Sequence, residues 1–517
     1  GARKVILNDL SPAATFIAYN YNNPLDARAF EKEAKRILKE VEKECGWLYE
    51  TWHPHCSAPN RIKAKINYVV WSDVFSCPNC GEEIVFCEVA FEKKNNKVLR
   101  DWECPKCNSL LSIRPSKKRG STKPERVMDT KFDSSLGEPV TLARQIPFLI
   151  NYSINIENYN KQVDAEDLAL IKIIDDLKIP FPYPTDELPD GYNTRQPKKS
   201  HGFTHVHHFY TKRNLWVLSA IKEKISTFGH LLWFTSQLIN MSKLNRYRPG
   251  VSYPYNPLSG TLYVSSQISE ANVFVAYKNK IKRIKSAFLK CNSNELSNFS
   301  GFVQSSAKKI SQIESCIDYF FVDPPFGKNL MYSELNFISE SWIGVYTNNK
   351  TEAIINGEQN KELDDYQKLM TDCFESFFPL LKPGRWMTVE FHNSQNAVWN
   401  AIQEALLQAG FILADVSTLD KQQGTFKQVT TTSAVKQDLI LSAYKPSSEF
   451  EQSFAIKGGT VQGAWDFILQ HLEQLPMPSK VGGRIEIQSE RTPYLLYDRM
   501  LAFHLVRGLT IPLSASE

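Results

Sequence analysis

The run Asp318-Tyr-Phe-Phe-Val322, with Asp323-Pro324-Pro325-Phe326 directly after it, reads as a buried strand that ends in a rigid, acid-led loop. Open α/β sheets place their chemistry at the carboxyl ends of strands, in loops of this kind. Two consecutive prolines fix φ and remove two backbone donors, so the local carbonyls act as acceptors only. Asp323 adds a carboxylate and Phe326 a flat apolar face. Together these groups suit an amino group on an aromatic ring. The lone pair of such an amine is delocalised into the ring. Hydrogen bonds from its N–H groups to a carboxylate and a carbonyl draw the nitrogen toward sp³ geometry, which frees the pair for attack on an electrophilic carbon. A bond to a charged acceptor contributes roughly 1.5–3 kcal/mol, and preorganised acceptors act most strongly in a dry site. A base reaches such a pocket from a duplex only by leaving the stack, and an aromatic side chain can receive it there. A proline-stiffened loop without chemistry is the rival reading of the same residues.

Outward from this loop, strands and helices alternate. A helical stretch near 364–381 precedes a turn at Lys382-Pro-Gly384 and a strand at Arg385–Phe391. A helix capped by Ser394 follows, with Ala397, Val398, Ala401, Ile402, Ala405 and Leu406 on one face. Gly410 ends it, and Phe411–Val416 and Gln437–Ser442 are further strands. This alternation predicts an α/β fold with a mostly parallel sheet covered on both faces. Upstream, Lys4–Asp9 reads as a short buried strand. Residues 26–45 read as a helix, with Ala34, Ile37, Leu38 and Val41 at helical spacing and Gly46 in the C′ position. Arg114–Arg126 is a basic exposed linker, residues 180–200 are proline-rich and irregular, and 205–245 are mostly helical.

Cys77-Pro-Asn-Cys80-Gly and Cys104-Pro-Lys-Cys107-Asn are matched Cys-x-x-Cys knuckles. Four thiolates in this spacing form a tetrahedral, coordinatively closed structural zinc site. Gly81 and Asn108 stand where positive φ is needed, and Ile84-Val-Phe and Val98–Trp102 read as hairpin strands of a zinc ribbon. Cys87 is packed rather than ligating. His53, His55 and Cys56 read as an ordinary loop, with a second metal as the rival.

Bulk properties bound the rest. At 517 residues the chain has room for two to four domains, and 42% hydrophobic content is ordinary for a globular protein. The sequence has no 18-residue apolar run, so no membrane span is expected. Gly1-Ala-Arg-Lys runs straight into a strand, unlike a signal peptide. A net charge of +5 neither demands nor excludes nucleic acid. The cations cluster at Lys117-Lys118-Arg119, Lys198-Lys199 and Lys278–Lys285, which solvated faces also do. Ten cysteines, four of them in paired knuckles, point to metal and a reducing, cytoplasmic compartment.

Asn8-Asp9-Leu10 closes the first strand. An acid there can accept hydrogen bonds from ribose hydroxyls, with Leu10 over an adenine face, although an Asp after a strand is also common without a ligand. No glycine-rich loop precedes it. In this order, the residues resemble the DPPY-type DNA amino-methyltransferases, specifically the adenine-specific methylases with an inserted zinc ribbon. The resemblance covers nearly the whole chain. It is carried by Asn8–Ala14, the paired knuckles, Phe209-Tyr-Thr-Lys-Arg-Asn214, Asp323–Phe326, Tyr332-Ser-Glu-Leu-Asn-Phe337, Lys382-Pro-Gly384 and Arg507–Ser514. It implies a Rossmann-like methyltransferase sheet whose first strand and glycine loop are missing here, with an inserted zinc ribbon and a mostly helical middle.

The implied segments are 1–50 and 301–446 for the methyltransferase core, 51–125 for the ribbon and basic linker, 126–300 for target recognition, and 447–517 for a C-terminal extension. The resemblance further implies S-adenosylmethionine as cofactor, with Asn8, Asp9 and Leu10 at its site, and structural zinc. The implied substrate is double-stranded DNA, methylated at adenine N6. Asp323 and the Pro324 carbonyl would orient the amine, Pro325 would hold the loop, and Phe326 would stack on the base. A glycine loop from an upstream segment or a complementary subunit is implied as well, so the chain reads as a fragment or one half of a split enzyme. A role in restriction-modification or phage defence follows by family association. Arg213, Tyr247, Tyr253 and Tyr255 are candidates for DNA contact, with core or turn roles as rivals. Three other readings stay open: a non-catalytic DNA-binding or assembly component, cytosine N4 methylation, and RNA methylation.

Overall fold

The computed structural model describes residues 4–23, 25–54, 61–92, 96–251, 255–292, 300–304, 314–419, 438–477, 480–481, 484–485 and 489–514. The chain divides into two compact units. The first takes in 1–7, 11–302 and 332–347; the second takes in 8–10, 303–331 and 348–517.

The first unit is organised by one long strand, Lys63–Ser76, rich in β-branched residues. It pairs antiparallel with Gln145–Ile154 on one side and Gln267–Ala271 on the other, within a seven-stranded sheet. Its side chains serve two cores: Ile66 and Val69, brought to one face by a bulge at Asn67, join a large helical core, whereas Val70 and Phe75 join the core of the cysteine module. The helix Ala27–Cys45 packs on the first of these. Asp26 caps it by accepting from the amides of Arg28 and Ala29 at 2.8 and 3.1 Å, and Phe30, Ala34, Ile37, Leu38 and Val41 form its buried stripe. Gly46 does not stop this helix in a left-handed turn; it stays right-handed and opens a 3₁₀ turn, Gly46–Tyr49.

The middle of the chain is less helical than expected. Met128–Asp133 and Glu138–Ala143 form a hairpin, and Gln145–Ile154 pairs with Glu157–Gln162. Asn151-Tyr152-Ser153-Ile154 alternates polar and apolar residues within Gln145–Ile154, which is a strand signature that the helical reading of 126–300 overlooked. Helices do follow, at Ala165–Asp176, Lys212–Glu223, Phe228–Thr235 and Val273–Asn292. Within the proline-rich stretch, Tyr192–His201 is a helix despite Pro197. Its first amides are held from outside by the buried Glu334 carboxylate, which accepts from the Asn193 amide at 2.7 Å and the Tyr192 amide at 3.3 Å. The segments 51–125 and 126–300 are therefore not independent, because Lys63–Ser76 of the first pairs with Gln145–Ile154 and Gln267–Ala271 of the second.

Val5–Asp9 pairs with Ser300–Gln304 in a separate two-stranded sheet. It is not the buried strand expected, for Val5 and Ile6 are 40% and 53% exposed.

The second unit is built on four strands in the order Ile317–Val322, Leu381–Phe391, Asp438–Tyr444, Ile412–Leu419. The first two are parallel, and Asp438–Tyr444 is antiparallel to both of its neighbours. The sheet is thus mixed rather than mostly parallel. Ile412–Leu419 and Asp438–Tyr444 are sequential and adjacent, and without a crossover helix such a pair returns antiparallel. Lys382-Pro-Gly384 lies inside its strand as a bulge: Leu381 pairs with Ile317 and Trp386 with Tyr319, so the intervening residues loop out, with Gly384 at φ +69°.

Helices Leu363–Leu380 and Asn396–Gln408 cover one face of this sheet. The second of these starts after Gln395, not at Ser394; the Asn393 carboxamide oxygen accepts from the Gln395 amide at 2.8 Å. On the other face, Ile412, Ala414 and Tyr444 pack against Phe450, Phe454, Phe467 and Phe503 of the last helices. The helices Ser448–Lys457, Val461–Gln474 and Pro493–Val506 are therefore a layer of this unit rather than an appendage. Both faces are covered only at this end. In Ile317–Val322, Phe320 and Val322 pack inward, whereas Tyr319 and Phe321 are more than half exposed. That strand pairs with a single neighbour among the described residues, so it alternates instead of being buried throughout.

Among the described residues, no helix is long and apolar enough to cross a membrane.

Candidate active site

Asp323 lies exposed just past the end of Ile317–Val322, with Pro324 buried behind it and Pro325 and Phe326 half-buried. The loop is held through its carbonyls. The Tyr366 hydroxyl donates to the Pro325 oxygen at 2.7 Å, the Asn393 carboxamide to the Phe326 oxygen at 2.9 Å, and the Ile355 amide to the Gly327 oxygen at 3.2 Å. Among the described residues no donor reaches the Pro324 oxygen. Gly327 closes the loop at φ +67°, where a Cβ would lie 3.1 Å from Val398 Cγ1, so both the backbone angle and the space call for glycine. Phe326 meets Phe391 edge to face at 5.3 Å and lies 6.2 Å from the His392 ring, which is itself 2.7 Å from the Asp438 carboxylate. Burial pushes the Tyr366 phenol far above its usual range, which keeps it a neutral donor.

Tyr366, Asn393 and Ile355 are absent from the sequence reading. Asn393 was accessible to it, since it follows the carboxyl end of the neighbouring parallel strand, whereas Tyr366 looked like any core position of a helix. Replacing Tyr366 with Phe should destabilise the second unit by about 1 kcal/mol and loosen the loop. Because a small misplacement of reacting groups is costly, any activity of this loop should fall roughly tenfold. Thermal unfolding together with the rate would check this.

The other loop-associated motifs are structural. Glu334 caps a helix, as described, and Glu340 accepts from Ser11 and Thr347. Ser11 in turn caps Pro12–Asn22 through the Ala14 amide. Asn8, Asp9 and Leu10 belong to the same unit as Asp323–Phe326, and Asp9 is exposed at the end of its strand. Arg213 is not a DNA contact. It is buried, with its guanidinium 2.6 Å from Glu270 and donating to the Leu48 carbonyl at 2.7 Å. Tyr247 is half-buried against Tyr68 and Phe91, and Tyr255 packs on the main core. Tyr253, His55 and Cys56 lie outside the described residues. His53 bonds Tyr152 at 2.8 Å.

The four predicted cysteines converge. All their Sγ atoms lie within 4.8 Å of one another, with Cys77–Cys107 at 3.7 Å and Cys80–Cys104 at 3.6 Å. A zinc ion with Zn–S bonds of about 2.3 Å sets tetrahedral S···S distances of about 3.8 Å, so the donor set fits. The knuckles are alike: Gly81 and Asn108, both at positive φ, donate to the carbonyls of Cys77 and Cys104 at 2.9 Å. The Ser109 hydroxyl sits 3.2 Å from Cys107 Sγ and is oriented by the Asn79 carboxamide. The hairpin strands are shorter than expected, because Phe86–Ala90 is a helical turn that buries Phe86 and Cys87.

A second cluster, Asp133, His207 and His208, also has its ligand atoms within 4.8 Å. Its hydrogen bonds argue against a metal. His208 Nδ1 accepts from the amides of Thr204 and His205 at 3.2 and 3.3 Å, so the neutral ring carries its proton on Nε2 and donates it to Asp133. Burial holds the His208 imidazole down at about 3, from an ordinary 6.5. Between these values the unfolded chain binds a proton that the fold refuses. Stability from this ring is therefore complete above about pH 6.5 and is lost as pH falls toward 3. Urea unfolding of the protein at pH 7 and pH 5 should show the lower midpoint at pH 5; because burial also holds His201, His207 and His230 down, His208→Asn should narrow that difference without abolishing it.

No family model matches the chain, and no curated protein does. Solved structures similar to part of it include the [4+2]-cyclase SpnF, at 14% identity and a TM-score of 0.18 over 34% of this chain and 64% of that one. A methyltransferase homologue from Pyrococcus horikoshii is 13% identical, with a TM-score of 0.17 over 33% of this chain and 57% of its own. The chain spans less than two thirds of the length of either.

Proposed function

We propose that this protein is an S-adenosylmethionine-dependent methyltransferase that acts on the exocyclic amine of a nucleobase, adenine N6 in double-stranded DNA. The observation that supports this most is the state of the loop's carbonyls. Those of Pro325, Phe326 and Gly327 are each engaged, and the Pro324 carbonyl, next to the exposed Asp323 carboxylate, has no donor among the described residues. A rigid corner with one carboxylate and one open carbonyl is matched to the two N–H groups of an aromatic amine. Asp323 and the Pro324 oxygen accept those two hydrogens and hold the nitrogen pyramidal. Phe326, steadied by Phe391, offers its remaining face to the base ring. Asp323 need not be a strong base, because the nitrogen becomes acidic once it carries a fourth substituent. The cofactor, when bound, supplies a methyl group made electrophilic by its sulfonium; Asp9 would hold its ribose, with Asn8 and Leu10 beside it. The four-cysteine centre is structural, since no ligand position is left open.

The test is to incubate the natural full-length protein with labelled S-adenosylmethionine and duplex DNA, single-stranded DNA or RNA, then to digest and identify the modified base. N6-methyladenine from duplex DNA is expected. N4-methylcytosine or a methylated RNA base would correct the target, and no methylated base from any substrate would overturn the reading.

A further inference from the structure

The first unit contains a cavity of about 320 Å³, within the range of small-ligand sites. Tyr210, Thr211, Lys212 and Arg213, from the motif that the active-site loop leaves unused, form one wall; Trp71, Lys131, Asp175 and Lys243 contribute to the rest. The fixed charges of this wall are already matched. Glu270 takes hydrogen bonds from Arg213, Trp71 and the Thr211 hydroxyl, and Arg144 is paired with Asp129 and Glu83. Three lysines are not matched in this way. The Lys212 ammonium donates to the Asp175 main-chain carbonyl at 2.6 Å, and those of Lys131 and Lys243 have no carboxylate or hydrogen-bond acceptor among the described residues. Five cations line the cavity (Lys131, Arg144, Lys212, Arg213 and Lys243) against three carboxylates (Asp129, Asp175 and Glu270), an excess of two positive charges within the lining, with Asp73, Asp133 and Asp176 acting on the lysines from outside it.

Lys243 lies over the Phe203 ring at 4.8 Å, and burial pulls its ammonium down to about 8 from 10.5. An anion in the cavity would relieve that cost. The cavity also receives the N-terminus of the twelve-residue helix Lys212–Glu223. The Thr211 hydroxyl caps its Asn214 amide, while the amides of Lys212 and Arg213 meet no acceptor among the described residues. Helix N-termini with open amides favour phosphate.

We propose that this cavity binds a phosphate-bearing ligand of up to mononucleotide size, with Lys131, Lys212, Lys243 and the first amides of Lys212–Glu223 around the phosphate and Trp71 beside the remainder. The site lies wholly in the first unit and does not rest on the methyl-transfer reading.

Calorimetric titration with adenosine monophosphate, inorganic phosphate and a short duplex tests it. Saturable binding that weakens at least tenfold in Lys243→Met and severalfold in Lys131→Ala is expected, with Lys118→Ala, outside the cavity, unchanged. Equal affinity for phosphate and nucleotide would place recognition in the phosphate alone. Binding of the duplex only, weakened by both substitutions, would overturn the small ligand and assign the site to the DNA backbone. Lys131 is exposed, so its variant is informative even if Lys243→Met fails to fold. Absence of binding by all three probes, or affinities unchanged in both cavity variants, would overturn the proposal.

Discussion

Asp323→Ala is expected to lower methyl transfer by about 10²–10³-fold, the usual cost of removing one preorganised partner of a developing charge. The side chain is exposed, so the variant should keep the fold and zinc content of the parent protein. Asp323→Asn keeps an oxygen acceptor and loses its charge. A bond to a neutral acceptor contributes about 1 kcal/mol less than one to a charged acceptor, so this variant should fall only about fivefold. The order Asp, then Asn, then Ala therefore separates a charge-assisted hydrogen bond from a merely steric role. Full activity in the alanine variant would remove the enzyme reading, since no other group described here could orient the amine in its place.

Removal of the metal should have the largest effect on stability. Structural zinc contributes roughly 10–16 kcal/mol of apparent binding energy in small modules, more than a typical domain's net stability. The cysteine module has a small core of its own, centred on Phe75, Phe86, Trp102 and Leu111. Chelation, or Cys104→Ser at a fully buried ligand, should therefore unfold the module. Loss of one zinc per chain by elemental analysis, with new protease cleavage between 77 and 111, is the expected result. An unchanged cleavage pattern in the metal-free protein would show that the four thiols are not what holds the module together.

Much of this was legible in the residues because it depended on local chemistry. The knuckles announce themselves by spacing, and Gly81 and Asn108 take the positive φ that the turns require. The helix Ala27–Cys45 follows from its apolar stripe. What the sequence could not show was long-range pairing. Nothing local tells Lys63–Ser76 that it will be central to a sheet whose partners lie some 75 and 200 residues away. Nor does Arg213 reveal that Glu270 awaits it, which is why an interior residue looked like a surface cation. The clamps on the Asp323–Phe326 loop were hidden for the same reason: Tyr366 reaches Pro325 across 41 positions.

The continuity of Lys63–Ser76 has one more effect. The strand runs without a break from the sheet to Cys77, and Trp71, on the wall of the lysine-lined cavity, stands only a few residues before it. Fraying that begins at the knuckle would travel back along this ladder and release the indole. Amide hydrogen exchange should record such a gradient, with protection in the metal-free protein lowest at Ser76 and recovering toward Ile66, so that a redox change at the thiols would be felt at a site that touches no sulfur.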